Sequence, residues 1–133
     1  MISEDVIDRI NILEATFLAM NNAVSQLISQ LPKELNTQAD FSKKVLLMVD
    51  GNRFKSDLPY ASKTLVDGDA LCLSIAAASI VAKVTRDRII NVYDQIFPLY
   101  GFKQHKGSPT QSQKKAIAEH GLSLVHRKTF RFA

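Results

Sequence analysis

Apolar residues recur along residues 4–31 at Ile7, Ile10, Leu13, Phe17, Met20, Val24, Leu27 and Leu31. Steps of three and four put them on one stripe, so the spacing predicts a single amphipathic helix. Ser3 is placed to cap it, Glu4 and Asp5 suit the positive end of its dipole, and Pro32 closes it. The stripe reads as core, and Ala15, Ala19 and Ala23 would let another element approach closely. Residues 32–42 turn polar, with Pro32, Asn36, Thr37 and Asp40, and read as a connection.

The period then changes. Val45, Leu46, Leu47, Met48 and Val49 form a continuous apolar run, which predicts a short strand covered on both faces, as parallel strands of α/β folds are. The run delivers Asp50 to a Gly-bearing turn. Ligands in such folds gather beyond the carboxyl ends of strands, which makes Asp50 a candidate for chemistry; Asp-Gly is also a good turn pair, so turn formation alone would account for it. Gly51 to Ala61, with mixed charge and Pro59, reads as a loop, and a second, shorter strand is expected over Lys63 to Val66. It ends in Asp67-Gly68-Asp69, a repeat of the first arrangement. Adjacent parallel strands lie about 4.8 Å apart, so acids at their ends can share a divalent cation. The plainer alternative is that Asp67 or Asp69 caps the following helix.

That helix is expected over residues 74–97. Its first half, from Ser74 to Lys83, is rich in Ala and Ser and suits close packing; after the charged turn Thr85-Arg86-Asp87-Arg88, an apolar face resumes at Ile89, Val92, Tyr93 and Ile96, and Pro98 ends it. Tyr100 to Thr110 mixes aromatic, basic and glycine residues and reads as a loop. That mixture suits contacts to a nucleic-acid backbone and equally suits buried aromatic anchors with solvated lysines. His105 alone is a weak metal-ligand candidate. A third helix is expected from Thr110 to His120, capped by Ser108 or Thr110 and stopped by Gly121. The basic tail from His126 to Phe132 either touches phosphate or docks Phe130 and Phe132.

Composition narrows this picture. A chain of 133 residues fits one domain, expected over 1–133. Residues 1–70 hold seven Lys and Arg against ten Asp and Glu, whereas residues 71–133 hold ten against three. A basic half beside an acidic half suits a polyanion held near carboxylates; a solvated surface is the plainer account. Cys72 is the only cysteine, which excludes an intrachain disulfide and a Cys-based zinc site and fits a reducing, cytoplasmic location. The acidic start Met1 to Asp5 does not look like a secretory signal, and no stretch reaches the length of a membrane span.

Taken together, six blocks resemble ribonuclease HII, the type 2 ribonuclease H family: Ile7 to Leu13, Val49 to Arg53, Gly68-Asp69, Ser74 to Arg88, Tyr100-Gly101-Phe102 with His105-Lys106-Gly107, and His120-Gly121 with His126-Arg127. The resemblance implies an α/β fold, the C-terminal part of a ribonuclease H-like sheet flanked by helices, with the first sheet strands missing. It also implies a metal-dependent endonuclease that cuts the RNA strand of RNA–DNA hybrids and ribonucleotides embedded in duplex DNA, using two Mn²⁺ or Mg²⁺ ions held by four acids. Asp50 matches the third acid and Asp69 the fourth, as catalytic residues and metal ligands. Lys106, Gly107 and Ser108 match the nucleic-acid-binding block.

Two positions depart from the family pattern. Asp67 stands where Lys is usual, and Ser108 where a Tyr usually packs on the nucleic-acid sugar. The first two acids have no counterpart, so the chain is expected to be an N-terminally truncated fragment. Such a fragment is expected to leave an apolar strand edge unpaired, to have low stability, and to be inactive without a missing N-terminal segment. The competing reading is a non-catalytic nucleic-acid-binding fragment or interaction module.

Overall fold

A computed structural model describes residues 2–130. The chain is mixed α/β and divides by its contacts into two compact units, Met1–Ala78 and Ser79–Ala133.

In the first unit, the apolar stripe makes two helices, α1 (Glu4–Ile10) and α2 (Ile12–Gln30). The expected single helix is broken at Asn11, whose φ is 71°. Asn tolerates positive φ better than most residues, and here its carboxamide oxygen accepts the backbone N–H groups of Leu13 and Glu14 at 3.0 and 3.1 Å. One residue thus ends α1 and caps α2. Ser3 occupies the N-cap position of α1 without making a side-chain capping bond. The stop is as expected, with Leu31 extended before Pro32. The stripe is core only in part: Ala15 and Phe17 are buried, whereas Ile10, Leu13 and Leu27 are exposed. Residues 32–42, expected to be a plain connection, begin two one-turn helices, α3 (Lys33–Asn36) and α4 (Phe41–Lys44).

Strand β1 (Leu46–Asp50) starts one residue into the apolar run and includes the acid. It pairs in parallel with β2 (Ala61–Leu65), in a register that sets Leu46 against Ala61 and Asp50 against Leu65. Among the described residues this pair is the whole sheet. The loop between the strands is tied to α2: Phe54 meets Phe17 edge-on at 6.3 Å, and the Asn21 amide donates to the carbonyls of Phe17 and Lys55 at 2.9 Å each. The Ser56 hydroxyl donates to the Asn21 carboxamide oxygen. Beyond β2 come α5 (Gly68–Leu71) and the start of α6 (Leu73–Ile96), where Ile75 is buried.

The second unit holds the remainder of α6, a 3₁₀ turn (Pro98–Tyr100), α7 (Phe102–His105) and α8 (Gln111–His120). The segment expected to be a loop over Tyr100 to Thr110 therefore contains a helical turn. Its aromatic side chains form the core of this unit. Tyr100 and Phe102 stack with centroids 5.8 Å apart, the His126 ring lies 5.0 and 5.4 Å from them, and the Tyr100 hydroxyl donates to the Gly121 carbonyl at 3.0 Å. Of the two readings of this segment, buried aromatic anchors are what it contains, with Lys103 exposed. Thr110, not Ser108, caps α8, accepting the Gln113 N–H at 3.3 Å, and Gly121 at φ 77° follows its end. In the tail, the Arg127 guanidinium sits 4.5 Å over the Phe130 ring, and Phe132 lies outside the described residues. Among the described residues, no helix is long and apolar enough to cross a membrane.

The Asn11 break is testable because two properties of one side chain support it. Asn11→Ala loses the cap and pays for positive φ, and should destabilise the first unit by about 1–2 kcal/mol. Asn11→Gly keeps the backbone freedom and should cost only a few tenths of a kcal/mol. Urea unfolding followed by circular dichroism measures both; equal costs would mean that the break does not depend on this side chain.

Candidate functional site

Asp50 ends β1, and its carboxylate turns toward the next strand's exit rather than closing its own turn. The Gly68 N–H donates to Asp50 Oδ1 at 2.9 Å, while the Gly51 N–H donates to the Leu65 carbonyl at 2.8 Å. The two strand ends are therefore cross-linked by one backbone bond and one side-chain bond. Gly68 is buried, and a Cβ there would come within 2.7 Å of Ile75 Cδ1 and 3.3 Å of Asp50 Oδ1, so a side chain at 68 would require the tip of Ile75 to shift. This close approach brings Asp69, the next residue, to the same edge of the sheet as Asp50. Both acids are exposed.

Neither acid of the Asp67-Gly68-Asp69 turn acts as a side-chain cap. Asp67 takes the N-cap position of α5 in a left-handed conformation, φ 54°, with no side-chain capping bond, and Asp69 lies in the first turn. The capping account of these residues is thus not what the geometry contains. Hard divalent cations take six or more oxygen ligands and prefer carboxylates. Asp50 and Asp69 are suitable donors, but Oδ1 of Asp50 already accepts a hydrogen bond. Among the described residues, no group of three or more His, Cys, Asp or Glu side chains is arranged to hold an ion. The described acids do not make a complete metal centre, and no reaction step is assigned to a metal.

Lys106, Gly107 and Ser108 lie in the second unit, on the turn after α7. Lys106 and Gly107 both have positive φ, 52° and 80°. Lys106 Nζ donates to Asn91 Oδ1 at 3.2 Å, and the Ser108 N–H donates to the His105 carbonyl at 2.8 Å. His105 is not a metal-ligand candidate: its Nδ1 accepts the Gly107 N–H at 3.1 Å, so the proton sits on Nε2 and is donated to the Tyr100 carbonyl at 2.7 Å. The imidazole is a structural strut of the turn.

A feature that sequence reasoning missed is a cavity in this unit to which Arg86 and the buried Gln113 contribute. The signal was present in α6, where Arg86, Ile90 and Tyr93 follow at steps of four and three and place a cation on an apolar face. His126 also lines it. Burial, and then repulsion from the neighbouring His105, holds the His126 imidazole below its ordinary pKa.

The first unit is an α/β unit with carboxylates at the ends of paired parallel strands, in a chain whose second half is basic. The family model for ribonuclease HII matches residues 1–133, and the chain belongs to that family. Among curated relatives, it is 48% identical to ribonuclease HII of Chloroherpeton thalassium over 132 residues and 48% identical to that of Chlorobium phaeobacteroides over 131. It is 46% identical to the Chlorobium chlorochromatii protein over 130 residues. These alignments cover 98–99% of this chain but only 57–58% of the relatives.

The depressed His126 predicts a pH dependence with a definite sign. Below its ordinary value of 6.5 the unfolded chain takes up a proton that the folded ring resists, so stability falls as pH drops through 6.5 and levels off beneath the folded pKa. Thermal unfolding of the second unit should have a higher midpoint at pH 7.5 than at pH 5.5 (both about one unit from the reference value), and His126→Gln should shrink that difference. An unchanged difference in the variant would assign the acid sensitivity elsewhere.

Proposed function

We propose that the chain carries part of the site of a metal-dependent ribonuclease H. The substrate would be the RNA strand of RNA–DNA hybrids, or single ribonucleotides embedded in duplex DNA. Asp50 and Asp69 serve as two of its metal-facing catalytic carboxylates, and Lys106, Gly107 and Ser108 contact the nucleic acid. The observation that supports this most directly is the Gly68 N–H bond to Asp50, which sets Asp50 and Asp69 at one sheet edge in a chain matched to the family along its length. Two Mn²⁺ or Mg²⁺ ions bound there would acidify an attacking water and stabilise the charge that develops on phosphate. Two acids fall short of that centre, so cleavage needs further carboxylates, expected from an N-terminal segment. The domain is proposed to be a single ribonuclease H type 2 unit in the cytoplasm.

A duplex DNA bearing one ribonucleotide, incubated with Mn²⁺ or Mg²⁺, tests this with the chain alone and with the N-terminal part of a relative supplied. Cleavage is expected only in the second case. Cleavage by the chain alone would remove the need for further carboxylates, whereas failure in both would favour a non-catalytic nucleic-acid module. In the supplemented reaction, Asp50→Asn and Asp69→Asn should each lower cleavage by about 100-fold or more while leaving hybrid binding in place, since outer-sphere changes at metal sites already cost up to that much. An acid whose variant cleaves normally does not belong to the site.

Lys106→Ala should weaken binding to hybrids of all sequences and reduce the slope of log affinity against log salt by about one, as loss of one phosphate contact does. Fluorescence anisotropy at several salt concentrations reads this directly; an unchanged slope would leave Lys106 as a partner of Asn91 only.

A further inference from the structure

The cavity in the second unit has a volume of about 220 Å³ and is bounded by α6, α7, the turn after α7, α8 and the segment around Arg127. Its charge has one sign. Arg86 and Arg127 line it, and among the described residues no Asp or Glu does. Guanidinium groups stay protonated at any working pH, so the cavity is cationic whatever its imidazole carries.

Two of its polar groups, the exposed Arg86 guanidinium and the Gln113 amide, are open to a ligand. Arg86 makes no ion pair or hydrogen bond among the described residues. Its guanidinium lies against the turn at Gly107, where a Cβ would stand 3.3 Å from Nη2, so the glycine gives Arg86 its place. Gln113 is 4% exposed, and among the described residues its side-chain amide forms no hydrogen bond; only its backbone N–H is engaged, by Thr110. The amide atoms keep contact with solvent, and a ligand oxygen accepting from them would replace water. Arg127 keeps its charge close by stacking on Phe130.

Size and shape narrow the occupant. The volume far exceeds one water's share of about 30 Å³, and Tyr93 and Phe102 supply aromatic wall that lowers the local dielectric and strengthens charge pairing. The planar fork of Arg matches the oxygens of phosphate in a bidentate manner. We infer that this cavity is a binding site for a phosphate-type oxyanion, with Arg86 and Arg127 pairing its charge and the Gln113 amide donating to one of its oxygens. Gly107 belongs also to the proposed nucleic-acid contact, so the phosphate comes either from a nucleic-acid backbone or from a free ligand such as a nucleotide. The site itself does not depend on whether the chain cleaves RNA.

The test uses the full chain labelled with ¹⁵N, titrated with sodium phosphate against sodium chloride at equal ionic strength. Saturable shifts are expected at the Gly107 amide, the Arg86 Nε–H and the Gln113 side-chain amide. Arg86→Gln should raise the half-saturating phosphate concentration at least about tenfold, the scale of one charge-assisted bond. Arg86→Lys, which keeps the charge and loses the fork, should fall between. Lys83→Gln, at an exposed lysine on the same helix outside the cavity, should change it less than about twofold, as a screened surface charge does. Shifts no larger than those with chloride, or an Arg86→Gln midpoint equal to that of the parent chain, would overturn the site. A short DNA duplex as second titrant then identifies the source: the same three resonances move if backbone phosphate enters, and stay still if only free phosphate does. Phosphate saturation in a chain that fails every cleavage assay would leave this site standing and the nuclease reading fallen.

Discussion

The bond from the Gly68 N–H to the Asp50 carboxylate is the constraint on which the first unit's candidate chemistry rests. It is a charge-assisted contact at 2.9 Å that crosses from one strand's end to the turn after the other. The lack of a side chain at residue 68 eases it, since a methyl group there would displace the tip of Ile75 and crowd the carboxylate. The parallel register of β1 and β2, the tight turn at Asp67 and the first turn of α6 therefore converge on one small gap. Whatever Asp50 and Asp69 do together, this gap sets how they face the edge of the sheet.

The second unit is built on a different principle. Its buried residues are rings and hydrogen-bonding side chains rather than aliphatic groups: Tyr100, Phe102, His105, Gln113 and His126. Each histidine accepts a backbone N–H through Nδ1, from Gly107 to His105 and from Ser123 to His126. The rings are thus fixed in one tautomer and hold the turns on either side of α8. A core of this kind specifies geometry well, because each polar atom demands its partner, and it exposes the unit to acid because a second proton on the His126 ring breaks one of those bonds.

How much of this was legible in the sequence depended on how local the cause was. Strand β1, the parallel β2, and the helices α6 and α8 follow from the apolar run, the repeated Asp-Gly turn, Pro98, Thr110 and Gly121, all of which act on their immediate neighbours. The break at Asn11 was hidden because Ile10, Leu13 and Phe17 keep their helical spacing straight through it, so periodicity carried no trace of a change in φ. The one-turn helices α3, α4 and α7 are too short to show a stripe. The site was half visible. A run of apolar residues that ends in Asp50 announces a strand-end acid, although the run is half-buried at most and not covered on both faces as expected. The contact with Gly68 depends on two strands meeting, which no short window contains. His105 stayed a weak metal-ligand candidate for the same reason, since its partners are set by the fold of the turn. Arg86 was passed over because it is an exposed residue of a charged turn, and the wall it forms with α8 and the segment around Arg127 depends on elements far apart in sequence.

The interrupted helix at Asn11 has a consequence of its own. Helix α1 contributes no buried residue, and its junction with α2 is already capped from within. The seven residues of α1 can therefore detach without uncapping their neighbour or opening the core around Phe17. Amide exchange with solvent is then expected to run on two clocks, a faster one for the opening of α1 and a slower one for that of α2, within a sequence stripe that looks continuous.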